Sequence, residues 1–232
     1  GAELQLSASL GIALYPDDAT SERELMAHAD AAMHHTKQSG RNGYTFFTPA
    51  MQASTSRRLR LLQDLRRAIA RDELLLHYQP KFPASGKPVI GAEALLRWQH
   101  PELGLLGPDT FIPIAERSGL ILAIGDWVLD RACAQLRAWH DAGHPGWSMA
   151  VNLSPLQFAS PALVETVRET LRRHALDPAH LTLEVTETTA MKDVEDSLQR
   201  LNTLTAMGVK IEAHTPGSSS TPTSVTWAWS LS

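Results

Sequence analysis

The sequence has a single cysteine, few aromatic residues and no long apolar run. Cys133 is that cysteine, so an internal disulfide and a thiolate metal cluster are excluded and a reducing, cytoplasmic setting is expected. No apolar run reaches the roughly 20 residues that span a bilayer, and the N-terminus lacks the pattern of a signal peptide. The net charge of −4 gives no indication of a nucleic-acid polymer as a partner.

What is present is the composition of an ordinary globular protein, with 43% hydrophobic and 20% charged residues. The first residues alternate like a strand through Leu4, Leu6 and Leu10. A helix is predicted over Ser21–Ser39, with Ser21 and Glu24 as a capping box, and a short strand over Tyr44–Thr48. One strand–helix–strand unit buries too little for its own core, so residues 1–48 are interpreted as the last part of a domain.

Residues 49–73 are predicted to form a polar, arginine-rich linking helix. The arginines could be interpreted as a nucleic-acid patch. However, no aromatic residues alternate with these charges, so a solvated connecting helix is the favoured interpretation.

From residue 74 onward, strand patterns alternate with helix patterns. This order implies parallel pairing, in either a doubly wound sheet or a (β/α) barrel. Neither a Gly-x-Gly-x-x-Gly nor a P-loop motif occurs. The predicted strands are Leu74–Lys81, Val89–Gln99, Met149–Ser154, Leu181–Glu187 and Val209–Glu212, and the predicted helices are Phe111–Glu116, Gly125–Ala142, Ala162–His174 and Val194–Met207.

Three of these strands carry an oxygen ligand that suits a metal ion, namely Glu93, Asn152 and Glu184. In a barrel the carboxyl ends of the strands meet at one mouth, and such hard ligands suit Mg²⁺ or Mn²⁺. Arg97 follows Glu93 at an even spacing on the same strand, where a guanidinium could hold a phosphate. Taken singly, Asn152 could simply shape a turn and Glu184 could be an ordinary strand-end residue.

Several runs of sequence resemble the EAL family in order over residues 74–211. They are YQPK with EALLRW, then HPELGLLGPDTFIPIAERSGLI, MAVNLSPLQF and LTLEVTE. The resemblance implies a modified TIM barrel that hydrolyses cyclic di-GMP to the linear dinucleotide with Mg²⁺ or Mn²⁺.

The resemblance also implies roles for individual residues. Glu93, Asn152 and Glu184 correspond to metal ligands, and Glu187 to the glutamate that steadies an active-site loop. Arg97 corresponds to a contact with the substrate phosphate, and Gln79 lies near the bound dinucleotide. A homodimer through the barrel is compatible with this family.

The front section resembles a second family. SASLGIALYP and HADAAMHHTKQSGRNGYTFF are similar to the C-terminal end of a GGDEF (diguanylate cyclase) domain, whose signature loop would lie upstream. Residues 1–48 are therefore expected to be a GGDEF remnant, and upstream sensory domains are not visible in this sequence.

The EAL pattern breaks after Ile211. The family continues into an Asp-Asp-Phe-Gly loop, whereas His214 and Thr215 stand at the places of the two aspartates. The later lysine and glutamate have no counterpart, and residues 212–232 are predicted to be an aberrant, disordered tail, as a frameshift near residue 212 would produce.

The expected fold is an incomplete TIM-like (β/α) barrel of the EAL type, preceded by a partial α+β GGDEF remnant and a linking helix. The expected function is cyclic di-GMP hydrolysis in the intact parent, with this chain inactive. The alternatives are a degenerate module that binds cyclic di-GMP without cutting it, and a fragment with no function.

Overall fold

The computed structural model describes residues 7–40, 42–83, 85–186 and 194–214. Contacts between residues divide the chain into two compact units, residues 1–64 and 65–232. Among the described helices, none combines the length and the apolar character needed to cross a membrane.

The first unit contains β1 (Ser9–Ile12), α1 (Glu22–Gln38) and β2 (Gly43–Phe46), and its two strands pair in parallel. Ser21 caps α1 as predicted, because its hydroxyl oxygen accepts the backbone N–H of Glu24 at 3.3 Å. The predicted capping box is wrong in its other half, since the Glu24 carboxylate accepts the Ser21 hydroxyl at 3.0 Å instead of a backbone N–H. Leu4 and Leu6 lie outside the described residues.

Helix α2 (Pro49–Ala68) ends five residues before the predicted end at residue 73. The backbone of Asp72 enters the left-handed region with φ of 53°, and the N–H of Glu73 bonds to the carbonyl of Ala68 at 2.9 Å. This left-handed residue and its hydrogen bond form a C-terminal cap of the helix. The polar sequence did not reveal the position of this cap.

The second unit is built on a six-stranded sheet with the order β3-β4-β6-β7-β8, and β5 pairs with β4. The strands are β3 (Leu74–Lys81), β4 (Gly91–His100), β5 (Gly104–Leu106), β6 (Ser148–Asn152), β7 (Leu181–Thr186) and β8 (Lys210–His214). Strands β4, β6, β7 and β8 pair in parallel, as predicted. Strand β3 instead runs antiparallel to β4, because the connection over residues 82–90 is too short for a crossover.

Helices cover one face of this sheet. Trp98 on β4 is fully buried, and its ring meets that of Phe111 edge-on at a centroid distance of 5.6 Å. Leu136 and Met149 are equally buried. The helices are α3 (Pro108–Ser118), α4 (Leu120–Asp141), α5 (Pro155–Ala159), α6 (Leu163–Arg173) and α7 (Val194–Ala206), with a 3₁₀ turn at Pro178–His180. The sequence did not predict α5 or β5.

The sheet is strongly curved. Lys81 on β3 bonds to Glu212 on β8, four strand intervals away, at 3.3 Å. In a flat sheet those strands would lie about 19 Å apart, whereas a lysine, a glutamate and a hydrogen bond together span at most about 14 Å. The face that carries these side chains is therefore concave. Within the described residues, β3 and β8 do not pair with each other, so the sheet is open.

Asp130 on α4 joins that helix to the end of α6. Its Oδ1 lies 2.8 Å from a guanidinium nitrogen of Arg173 and 2.9 Å from Nε2 of His174. Burial alone would raise the pKa of Asp130, but the hydrogen bonds from His174 and Arg173 outweigh burial and lower it.

We expect D130N to lower the free energy of unfolding at pH 7 by up to about 1 kcal/mol, a modest figure because the pair is partly exposed. The folded-state pKa of Asp130 lies below the unfolded value, so this contribution is present above the unfolded pKa and disappears as the pH falls through the folded pKa. Urea midpoints at pH 7 and pH 3 test the difference between D130N and the wild type. D126N is the matched control on the same helix: burial raises the pKa of Asp126, so its replacement should not destabilise at pH 7. Equal losses for both variants would contradict the prediction.

Candidate functional site

Alternation along β4 determines which side chains face the concave surface. Ala92, Ala94 and Trp98 are buried on the helix-covered side. Glu93 and Arg97 fall on the opposite side, because successive residues of a strand point to opposite faces. Both residues predicted on this strand are therefore on the concave face.

The strand register places the other predicted residues on the same face. Gln79 pairs with Glu93, and Asn152 pairs with Glu184, which in turn pairs with Glu212. The side-chain amide of Asn152 donates a hydrogen bond to Oε1 of Glu93 at 2.7 Å. The structure therefore brings Glu93, Asn152 and Glu184 together across three adjacent parallel strands.

Glu184 is only 5% exposed, so its charge needs a partner. The Lys81 ammonium lies 3.1 Å from Oε1 of Glu184 and 3.3 Å from Oε2 of Glu212. Burial alone would lower the pKa of Lys81, but the hydrogen bonds and charges of Glu184 and Glu212 outweigh burial and raise it. Lys81 is therefore a cation at neutral pH.

Arg97 stands away from the carboxylates, about 13 Å along the strand from Glu93. Its guanidinium donates to the carbonyl oxygen of Leu96 at 2.8 Å. His77, which pairs with Leu95 on the same face, has its pKa lowered by burial and by the positive charge of Arg97.

The loop that follows Asn152 is held by its own hydrogen bonds. Ser154 caps α5 in a full capping box, because its hydroxyl accepts the N–H of Gln157 and the Gln157 side chain accepts the N–H of Ser154. Leu153 donates its N–H to the carbonyl of Glu184 at 2.8 Å. A Cβ atom at Gly125 on α4 would lie 1.7 Å from Nε2 of Gln157, so the buried amide packs directly on that glycine. The turn is thus made by Ser154, and Asn152 itself ends the strand.

Two predicted positions lie outside the described residues, namely Glu187 and Thr215. The backbone of His214 pairs with Thr186 at the end of β8, so this strand extends two residues beyond its predicted end. Sequence reasoning did not identify His77, Lys81 or Glu212 as residues of this face. A period of two along β3 would have grouped His77 and Lys81 with Gln79.

The donor types on this face suit a hard divalent cation, with carboxylates from Glu93 and Glu184 and an amide oxygen from Asn152. In the part of the chain that the structure describes, no three His, Cys, Asp or Glu side chains lie close enough to hold a metal by themselves. A metal would therefore depend on Asn152 as well as on the two carboxylates.

Comparison with known families agrees with this geometry. The EAL domain profile matches residues 62–224. The chain belongs to the EAL family. A second profile, described as the GGDEF domain of diguanylate cyclases, matches residues 1–43.

Curated relatives of the EAL chain include two proteins of Pseudomonas aeruginosa. The bifunctional diguanylate cyclase/cyclic di-GMP phosphodiesterase MucR is 57% identical over 209 residues, which are 90% of this chain and 30% of MucR. The cyclic di-GMP phosphodiesterase NbdA is 40% identical over 211 residues, which are 91% of this chain and 27% of NbdA. The chain thus spans less than a third of these relatives.

Solved structures of EAL domains share its fold. A phosphodiesterase structure of PaMucR, described as a cyclic di-GMP complex, has a TM-score of 0.66 and 55% identity, and the match covers 70% of this chain and 66% of that one. The Xanthomonas citri FimX EAL domain, in complex with cyclic di-GMP, has a TM-score of 0.61 and 31% identity, with coverages of 69% and 62%. The prediction of an incomplete TIM-like barrel of the EAL type is confirmed, with the sheet open.

Proposed function

We propose that the concave face is the cyclic di-GMP site of an EAL phosphodiesterase, which in the complete domain hydrolyses cyclic di-GMP to the linear dinucleotide. The observation that carries the proposal is the convergence of Glu93, Asn152 and Glu184, with Asn152 bonded to Glu93 and paired with Glu184. The 55% identity to a phosphodiesterase solved with cyclic di-GMP supports the same ligand.

Each residue has a distinct task in this proposal. Glu93 and Glu184 would hold a divalent cation through carboxylate oxygens, and Asn152 through its amide oxygen. Bound Mg²⁺ or Mn²⁺ would polarise the phosphodiester and lower the pKa of the attacking water. Arg97 would grip a phosphate through its planar guanidinium, with Gln79 near the dinucleotide. Glu187 would steady an active-site loop, as the family resemblance implies.

We further propose that the chain with this sequence does not hydrolyse cyclic di-GMP. His214 and Thr215 stand where the family has two aspartates, and threonine cannot supply the charge of a carboxylate. Gln79 and Arg97 remain, so binding without cleavage is the second candidate function.

The test of hydrolysis uses the 232-residue chain with cyclic di-GMP and Mn²⁺, with the linear dinucleotide quantified by chromatography. We expect no turnover by the chain itself. A chimera in which residues 212–232 are replaced by the remainder of the MucR phosphodiesterase domain should hydrolyse, and E184Q should reduce its rate at least about a hundredfold, as loss of a metal ligand requires.

The two halves of the proposal fail separately in this assay. Turnover by the 232-residue chain would contradict its inactivity. A folded chimera that binds cyclic di-GMP and leaves it intact would contradict the enzymatic function. For the binding module, calorimetric affinity for cyclic di-GMP should fall in R97A and stay unchanged in R117A, which removes the same charge from α3.

The remaining parts of the proposal concern the setting of the domain. We place it in the cytoplasm, which suits its single buried thiol. Association of two barrels into a homodimer is supported by the family resemblance alone, and light scattering of the purified chain tests it.

A further inference from the structure

Lys81 connects two carboxylates that belong to different strands. Its ammonium lies between Glu184 on β7 and Glu212 on β8, at 3.1 Å and 3.3 Å from the nearest oxygens. Lys81 itself ends β3, at the other edge of the sheet. The side chain therefore crosses the concave face from one edge to the opposite edge.

The two carboxylates place the cation where negative charge is concentrated. Glu184 and Glu212 are register partners on adjacent parallel strands, so their side chains stand next to each other on the same face. Glu184 is 5% exposed, and two adjacent carboxylates with no cation between them would repel each other. A cation at this position relieves that repulsion, and Lys81 supplies it.

Glu184 cannot serve two cations equally well. Its Oε1 accepts the Lys81 ammonium, and the proposed function assigns the same carboxylate to a divalent ion together with Glu93 and Asn152. A divalent ion close to an ammonium group is strongly repelled, because unit charges about 4 Å apart interact appreciably even at a protein surface. Occupation by one cation therefore disfavours occupation by the other.

We propose that Lys81 is the resident cation of this site, and that a divalent ion binds through Glu184 only by displacing the Lys81 ammonium. This inference rests on the proposed function, since it concerns the affinity of the same site for its metal. Lys81 thereby sets the concentration of Mg²⁺ or Mn²⁺ at which the site fills, and the displaced ammonium becomes available to a phosphate oxygen of the ligand.

The test measures Mn²⁺ binding to the full 232-residue chain, by titration calorimetry and by the electron paramagnetic resonance signal of free Mn²⁺. K81M removes the competing charge while keeping a long side chain, so we expect its Mn²⁺ affinity to rise at least about tenfold. K81R keeps the charge and should stay within about threefold of the wild type. Without metal, K81M should melt at a lower temperature than the wild type, and saturating Mn²⁺ should raise its melting temperature by more.

K210M is the matched control. Lys210 lies on β8 two residues before Glu212, on the same face, and the described residues give it no ion pair. Its loss removes the same charge from the same neighbourhood, so a rise in affinity for K81M that K210M reproduces would mean a general electrostatic effect and would overturn the proposal.

Other outcomes separate the inference from the proposed function. If the wild type binds Mn²⁺, E184Q abolishes that binding and K81M leaves it unchanged or weaker, the displacement is wrong while the metal site stands. If neither the wild type nor K81M binds Mn²⁺, the displacement is wrong for this chain, and the chimera of the hydrolysis assay decides the metal-dependent function separately. Binding by K81M alone would support the displacement strongly.

Discussion

In the folded protein, Cys133 is expected to react with a thiol-specific maleimide at least about a thousandfold more slowly than the same cysteine in the unfolded chain. Its side chain is fully buried on α4. Burial, with a smaller contribution from the charge of Asp130, raises the pKa of its thiol to about 12. The thiolate is the nucleophile. The higher pKa alone therefore lowers the fraction of Cys133 present as thiolate about a thousandfold.

The measurement is simple because the chain has one cysteine. Stopped labelling at pH 7.5, followed by mass spectrometry, gives the rate in buffer and in concentrated urea, and C133A checks that all labelling is at this residue. A native rate within about tenfold of the unfolded rate would show that α4 opens readily or that the thiol is accessible. Either result would contradict the packing described for the barrel.

Replacement of Gly91 by alanine is expected to lower the free energy of unfolding by about 3 kcal/mol. A Cβ atom at this position would lie 2.2 Å from the backbone oxygen of Ser148 and 2.9 Å from its carbonyl carbon. Because the obstacle is the backbone of the neighbouring strand, β4 and β6 must separate to make room. Those strands carry Glu93 and Asn152, so the 2.7 Å hydrogen bond between them should be lost as well.

Chemical denaturation of G91A and the wild type measures the stability change. G146A is the control, because a Cβ atom at Gly146 would meet no heavy atom within 4 Å, and it should change the stability by less than about 0.5 kcal/mol. Cyclic di-GMP binding to G91A, measured where the variant is still folded, should also weaken. Equal stability of the two glycine variants would mean that β4 and β6 are not in the register described.

Much of the second unit could be predicted because its patterns are local. The predicted strand Leu74–Lys81 has the same bounds as β3 in the structure. The alternation of strands and helices led to a barrel or a doubly wound sheet, and the ordered EAL runs selected the barrel, which the comparisons confirmed. The elements that were missed, β5 and α5, are too short for a period to emerge.

The part of the site that the sequence did not reveal depends on contacts between distant residues. Lys81 is separated from Glu184 by 103 positions and from Glu212 by 131, so no window along the chain shows that they meet. Their contact requires the curvature of the whole sheet, a property of strand twist that residue spacing does not encode. The assignment of Glu93, Asn152 and Glu184 as metal ligands stays a prediction.

The packing of Gln157 on Gly125 shows that part of a family motif has a structural task. The run Asn152-Leu-Ser-Pro-Leu-Gln-Phe158 contains a residue proposed for chemistry, but Ser154 and Gln157 serve to build α5 and seat it against α4. A related chain that has lost its catalytic acids would still need those residues in order to fold. The presence of this run in a sequence therefore indicates that the scaffold can fold. A search for active phosphodiesterases should instead compare the acidic residues on the later strands.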